Sequence, residues 1–292
     1  HYTYAIVSDG DLEEGVSAEA AGLAGTLKLG KLIYLYDDNK IQIDGSTEKV
    51  FTEDVAARFR ACHWHVVGPI DGFDVDAVSS AIEEAKAEKE KPSIIICKTI
   101  IGYGAPLENT SKVHGSPLGP EGVISAKEKL GWPKEPAFFV PKEVAEHMGQ
   151  AVSHGKEAEE AWQQKFDSYK KEFPELAEKF LSQMKGELPV GWDEPLTGLF
   201  GKDSGAQATR ASSGTTINAL IGKIDNLMGG SADLAGSTKT MQKERKEFSA
   251  TERSGPNVHF GVREHVMGSI AGGMALHGGV IPYTGTFLTF SD

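Results

Sequence analysis

Short apolar runs alternate with longer amphipathic stretches through the first hundred residues. Tyr4-Ala5-Ile6-Val7 reads as a buried strand, Leu32-Ile33-Tyr34-Leu35-Tyr36 as a second, His65-Val66-Val67 as a shorter third and Ser93-Ile94-Ile95-Ile96-Cys97 as a fourth. An Ala-rich helix is predicted from about residue 14 to residue 29, stopped by Gly30, and a charged helix from about residue 74 to residue 90, ended by Pro92. Apolar strands separated by helices predict a parallel sheet covered by helices, because each parallel crossover needs an element that returns the chain.

Between Gly102 and Gly122 the pattern dissolves into Gly, Pro, Ser and Asn, a loop length that in a compact domain points to function or disorder. Highly charged helices follow at Glu143 to Met148, Glu157 to Tyr169 and Glu175 to Met184, with breaks predicted near Gly155 and Pro174. Such a segment is a helical connector with one face on the domains and one in water. Residues 186–206, with Pro189 and Pro195, read as a linker. A second alternating region then predicts a helix at Ile217 to Leu227 and a strand with its loop at Met228 to Leu234. A strand at Val258 to Phe260, a small-residue helix at Val266 to Leu276 and a strand at Val280 to Tyr283 complete it. The class is α/β, with two α/β domains, 1–133 and 207–292, joined by a helical connector at 134–206.

At 292 residues, 39% hydrophobic and 25% charged, the chain is globular. A net charge of -12 argues against nucleic acid as a partner but leaves small anions open, since local donors override the average field. No apolar run approaches the ~20 residues of a membrane span, so no membrane partner is expected. Cys62 and Cys97 fit a reducing compartment without disulfides, cytoplasmic or, in a photosynthetic eukaryote, plastidic. The chain opens on His1 and closes just after Phe287-Leu288-Thr289-Phe290, so a piece of a longer polypeptide is expected, and the lack of a targeting signal carries no information.

Asp9-Gly10 closes the first strand and Asn39 the second, with a helix between. A right-handed βαβ unit brings both to the carboxyl edge of the sheet, where open α/β sheets bind ligands. A carboxylate beside an amide oxygen suits Mg²⁺ or Ca²⁺ carrying a diphosphate, and Gly10 permits close backbone approach. The spacing equally allows a helix cap at Asp9 and a turn at Asn39. Taken singly, Glu264 is a first-turn carboxylate, His114 a surface histidine, Arg210 a solvated charge and Phe287 a core residue. His63 and His65 alternate as strand residues do, and nothing else supports a metal site there.

The stretch Ser8-Asp9-Gly10-Asp11 through Asp37-Asp38-Asn39 resembles the thiamine-diphosphate signature, with Ser8 where the signature has Gly. The intervening Leu23-Ala24-Gly25-Thr26-Leu27-Lys28-Leu29-Gly30-Lys31-Leu32-Ile33 is similar to the transketolase family. Gly261-Val262-Arg263-Glu264-His265 resembles that family's cofactor-activating motif, and Lys112-Val113-His114-Gly115-Ser116-Pro117-Leu118-Gly119 its His-Gly-x-Pro-Leu-Gly loop. Gly229-Gly230-Ser231-Ala232-Asp233-Leu234-Ala235-Gly236-Ser237 is similar as well.

The resemblance implies the thiamin-diphosphate-binding fold, with a diphosphate-binding domain at 1–133 lacking its N-terminal part and a pyrimidine-binding domain at 207–292 lacking its C-terminal part. The implied cofactors are thiamine diphosphate and Mg²⁺ (or Ca²⁺). Asp9, Asn39 and the backbone carbonyl of Ile41 would hold the metal, and Gly10 would lie against the diphosphate. Asp233 and Leu234 would touch the cofactor, and Phe287 would pack on its pyrimidine ring. Glu264 would hydrogen-bond a ring nitrogen of the aminopyrimidine and promote its imino tautomer. That task needs a carboxyl sharing a proton near neutral pH, and so burial that outweighs the helix N-terminus and Arg263. His114 would face the reacting carbon, and Arg210, Ser213 and Ser237 would bind the substrate phosphate.

Glu14 and Glu19 match carboxylates at the subunit interface of a homodimer whose active site lies between subunits. Glu13 stands where an apolar residue is expected. The implied reaction is reversible transfer of a two-carbon ketol unit from a ketose phosphate to an aldose phosphate, as in the pentose phosphate pathway and the Calvin cycle. Dihydroxyacetone synthase, a ketol transferase with formaldehyde as acceptor, shares these motifs. The wording around Glu264 and His114 disfavours 1-deoxyxylulose-5-phosphate synthase. A non-catalytic fragment is the reading from another class.

Overall fold

All four strands expected in the first hundred residues form. The chain runs β1 (Thr3–Ser8), α1 (Asp9–Glu13), α2 (Gly15–Thr26), β2 (Leu32–Asp38), β3 (Ile41–Gln42), β4 (Gly45–Ser46), α3 (Val55–Ala61), β5 (His65–Asp71), α4 (Val75–Ala87), β6 (Ser93–Lys98) and α5 (Gly119–Lys129). The computed structural model describes residues 1–201 and 204–291, so two residues of the expected linker, 202 and 203, lie outside the described residues. Its contacts divide the chain into two units, His1–Pro141 and Lys142–Asp292.

In the first unit the sheet order is β1-β2-β6-β5, all parallel. Alternation along the strands builds two apolar layers. Ile94 and Ile96 join Leu12, Tyr36, Phe59 and Trp64 on one face, while Ile33 and Ile95 join Val67, Ala81 and Ala85 on the other. The indole of Trp64 donates to the Ala21 carbonyl at 2.9 Å, which ties α2 to this core. Asp54 and Asp74 cap α3 and α4 through side-chain oxygens. The register sets Ser8 opposite Asp37 and Asp38 opposite Lys98, so β1, β2 and β6 end at one edge. One expectation fails here. β1 is not buried: Ile6 is 81% exposed, because β1 is the edge strand and no described element of this unit covers that face.

The second unit runs α6 (Lys142–Glu172), α7 (Pro174–Met184), α8 (Thr209–Leu220), β7 (Leu227–Ser231), α9 (Ala235–Thr238), β8 (Asn257–His259), α10 (Glu264–His277) and β9 (Ile281–Gly285). β7 is central in a parallel three-stranded sheet, between β8 and β9. The break predicted near Gly155 does not occur, and α6 passes through it, since an internal Gly costs a helix only about 1 kcal/mol. The break at Pro174 does occur, with proline at the start of α7. The helix expected at 217–227 is displaced to Thr209–Leu220. Its Ser- and Thr-rich first half masks the helical signal, yet Thr216 returns its hydroxyl to the Ser212 carbonyl at 3.0 Å and so fits the helix.

A Cβ at Gly155 would meet nothing within 4 Å. Gly155→Ala is therefore expected to stabilise this unit by about 0.5–1 kcal/mol, read as a higher urea midpoint. An unchanged or lower midpoint would show that α6 is not helical through this residue in solution. No helix among the described residues is long and apolar enough to cross a membrane.

Candidate active site

β1 hands the chain to α1 at Ser8, which is the N-cap. The Ser8 amide and hydroxyl both donate to Asp11 Oδ2 at 2.8 Å, forming a capping box. Ser8 in place of the signature's Gly therefore secures the turn that presents the next residue. Asp9 is only 2% exposed. Its Oδ1 accepts from the Tyr36 hydroxyl and its Oδ2 from the Lys40 backbone N–H at 3.2 Å. Burial raises the Asp9 carboxyl above its usual 3.8, and the Tyr36 and Lys40 donors offset only part of that. Burial, with Asp9 as its acceptor, also pushes the Tyr36 hydroxyl far up, so it stays protonated and donates.

Asn39 follows β2. Its Oδ1 accepts from the Ile41 N–H at 2.9 Å, and its Nδ2 donates to Asp37 Oδ2 at 3.1 Å. The other Asp37 oxygen accepts from the Thr99 hydroxyl, just past β6. Lys40 takes the left-handed region, φ +63°, a strain of about 1–2 kcal/mol that aims its N–H at Asp9. Asp38, 4% exposed, sits against the ammonium groups of Lys40 (2.8 Å) and Lys98. Burial alone would raise its carboxyl; the two lysines hold it below its usual value.

An open cleft of about 860 Å³ has Asp9, Gly10, Asn39, Ile41 and His114 in its wall. Five sequence-predicted positions from three separate segments thus share one wall. A Cβ at Gly10 would meet nothing within 4 Å, so this backbone faces open space. The wall carries six carboxylates, Asp9, Asp11, Glu13, Glu14, Asp37 and Asp44, and among the described residues no Lys or Arg. A diphosphate entering it needs a cation to offset that charge. No cluster of three or more His, Cys, Asp or Glu that could hold a metal occurs among the described residues. The implied donors, one carboxylate, one amide oxygen and one carbonyl, fit Mg²⁺ or Ca²⁺ completed by phosphate oxygens rather than an all-protein cage.

In the second unit, Gly261 turns the chain after β8 with φ +69°. Glu264 then opens α10, and its Oε1 accepts from the Thr286 hydroxyl at 3.2 Å. Arg263 is engaged elsewhere, donating to the Phe260 carbonyl at 3.0 Å. The carboxyl expected to be buried is half-buried within this unit. Glu264 lines a cleft of about 430 Å³ with Thr284, Thr286 and Phe290. The same two threonines border a second cleft of about 570 Å³ that holds Arg210, Ser213 and Phe287.

Arg210 and Ser213 stand three apart on α8, on one helix face. Phe287 lies near-parallel to Phe290, with ring centroids 6.0 Å apart. Ser237 is exposed on α9 and is not in that wall, although its neighbour Thr238 is. Asp233 is exposed with φ +61°, and Leu234 is half-buried. Glu14 stands at the N-cap position of α2 without a side-chain cap bond and lines the first cleft, and Glu19 is half-buried one turn on. The expectation for Glu13 missed its partner, Gln42, whose side chain donates to it.

Sequence reasoning gave no role to Tyr36, Asp37, Lys40, Thr99 and Thr286. Thr99 and Thr286 each directly follow a strand, or nearly so, and the carboxyl-edge rule used for Asp9 and Asn39 would have found them.

The fold and sites define a parallel α/β protein of two units, each with open clefts lined by residues that follow its strands' carboxyl ends. Residues 1–189 match the family described as "Transketolase, thiamine diphosphate binding domain", and residues 205–292 match "Transketolase, pyrimidine binding domain". The chain belongs to the transketolase family. A curated transketolase of Bacillus subtilis is 48% identical over all of this chain, which spans 44% of that relative. A transketolase from Leishmania mexicana superposes with a TM-score of 0.95 at 40% identity, over 99% of this chain and 43% of its own. One from Pichia stipitis, solved in complex with sedoheptulose-7-phosphate, gives 0.93 at 39% identity over 99% of this chain and 44% of its own. This chain therefore covers less than half the length of these relatives.

Proposed function

We propose that the protein containing this chain catalyses reversible transfer of a two-carbon ketol unit from a ketose phosphate to an aldose phosphate. Asp9 carries the reading: a carboxylate 2% exposed, beside Asn39, at the edge of an acidic cleft that favours a cation. The thiamine-diphosphate-binding domain and the sugar phosphate bound by the Pichia stipitis relative support the cofactor and substrate class. We retain the division into 1–133, 134–206 and 207–292, and a homodimer in which the diphosphate end of each site comes from one copy and the pyrimidine end from the other.

When bound, thiamine diphosphate would supply the carbanion-stabilising chemistry that ketol transfer requires. Asp9, Asn39 and the Ile41 carbonyl would hold Mg²⁺ or Ca²⁺, and Gly10 would leave room for phosphate oxygens. Glu264, fixed at Oε1 by Thr286, would present its other oxygen to the ring nitrogen of the aminopyrimidine. Phe287 offers a flat apolar face, with Asp233 and Leu234 as further cofactor contacts. Arg210 gives a two-pronged donor to the substrate phosphate, aided by Ser213 and Ser237. His114 moves a proton at the substrate oxygen.

Calorimetry on the intact protein is expected to show thiamine diphosphate binding only with a divalent cation. Assays are expected to show transfer from xylulose 5-phosphate to ribose 5-phosphate. Transfer to formaldehyde in place of ribose phosphate would reassign the acceptor, and binding without turnover would favour a non-catalytic role. His114→Ala is expected to lower kcat/KM by about 10²-fold with cation-dependent binding unchanged. Full activity in that variant would remove His114 from the proton path.

A further inference from the structure

Strand β2 carries two residues that touch the cation ligands without being ligands themselves. Tyr36 is 1% exposed, and its hydroxyl donates to Asp9 Oδ1; its next acceptor, Asp38 Oδ1, lies at 3.4 Å. With the Lys40 N–H on Oδ2, two of the roughly four acceptor positions of the Asp9 carboxylate are occupied, one on each oxygen. The remaining lone pairs then have fixed directions.

Asp37 points to the opposite face of the strand from Tyr36. It takes an amide hydrogen of Asn39 and so decides which end of that amide is oxygen, while the Thr99 hydroxyl holds its second oxygen. Neither Asp9 nor Asn39 can turn without breaking a hydrogen bond to this strand.

We propose that Tyr36 and the Asp37–Thr99 pair are positioning residues that lock Asp9 and Asn39 in one geometry and thereby set a preference for Mg²⁺ over Ca²⁺. Mg²⁺ requires near-ideal octahedral ligands at about 2.0–2.1 Å, whereas Ca²⁺ accepts six to eight oxygens at longer, irregular distances. Loosened ligands therefore penalise the smaller ion more. The inference rests on the cation site of the proposed function and goes further, assigning selectivity to residues that do not ligate.

The test needs no turnover. In the intact protein, thiamine diphosphate binding is followed by calorimetry while Mg²⁺ or Ca²⁺ is titrated. Tyr36→Phe keeps the ring and deletes only the donor. Its half-saturating Mg²⁺ is expected to rise about 10-fold or more, the usual effect of losing an outer-sphere hydrogen bond, while Ca²⁺ moves less. Thr99→Val is expected to change the ratio in the same direction, and Thr99→Ser to restore it.

A purely structural role would lower the melting temperature and move both cations together. That result, or an unchanged ratio, overturns the proposal. Absence of binding with either cation in the unsubstituted protein would instead remove the functional reading beneath it. If Tyr36→Phe does not fold, the two Thr99 variants make the same comparison alone.

Discussion

If the proposed function holds, Glu264→Gln is expected to lower ketol transfer by about 10²–10⁴-fold while leaving cofactor affinity and the proposed dimer intact. Glutamine has the volume of glutamate, and its carbonyl oxygen can take over the 3.2 Å hydrogen bond from Thr286. The first turn of α10 and the packing of the buried Val266 and Met267 are then undisturbed. What is lost is the capacity to hold and release a proton at the second oxygen. Sedimentation and calorimetry would confirm the unchanged assembly and binding, and steady-state assays at saturating cofactor would read the rate. Thr286→Val, which removes the orienting hydroxyl and keeps the proton, should cost far less, on the order of 10-fold. Wild-type turnover in Glu264→Gln would strip the residue of its role. Equal losses in both variants would make orientation, not proton transfer, the main contribution.

The parts of the fold legible in the sequence are those where one face of an element decides its state. Ile94 to Ile96 are buried on both sides of the sheet, so their apolar run alone specified β6. Position within a sheet is not a local property. The run Tyr4 to Val7 carries the same signal as β6, yet β1 lies at the edge with Ile6 exposed. Gly155 was read as a stop because propensity disfavours it, but one such residue does not interrupt 31 residues of helix. The Ser and Thr residues that open α8 gave no helical period, although a helix accommodates them, as the Thr216 hydroxyl bonded to the Ser212 carbonyl shows.

At the candidate site, spacing across a βαβ unit put Asp9 and Asn39 at one sheet edge, where register within the first unit indeed places them. Their partners could not be read the same way. Thr99 reaches Asp37 only because β6 pairs with β2, a contact between residues 62 positions apart. Tyr36 looks like any strand aromatic until its hydroxyl is seen against Asp9. The half-burial of Glu264 likewise depends on what packs over α10, which no pattern within residues 261–265 encodes.

Asp9→Asn is expected to make the ligand-free protein more stable at neutral pH and to weaken cation-dependent cofactor binding by on the order of 100-fold. The two effects have one origin. Burial raises the Asp9 carboxyl above its usual 3.8, so the fold tolerates the protonated form better than the ionised one. A carboxyl raised on folding contributes stability that is complete below its unfolded value and is lost as pH climbs through the folded one. At neutral pH, with chelator present, the folded chain therefore carries a buried negative charge that two hydrogen bonds only partly offset. Asparagine removes that charge and keeps the shape. Its oxygen can accept from the Lys40 N–H, and its amide can donate to a Tyr36 hydroxyl turned to accept. The expected gain is on the order of 1 kcal/mol, about 2–4 °C in Tm. The difference from the unsubstituted chain should shrink as pH falls toward 4 and vanish below it. The same charge is what attracts a divalent ion, so the stabilised variant should bind thiamine diphosphate poorly at any practical Mg²⁺ concentration. Melting curves in chelator across pH 4–8, paired with calorimetry in Mg²⁺, test both halves. A variant that melts lower at neutral pH yet binds normally would mean that Asp9 holds the fold and not the ion.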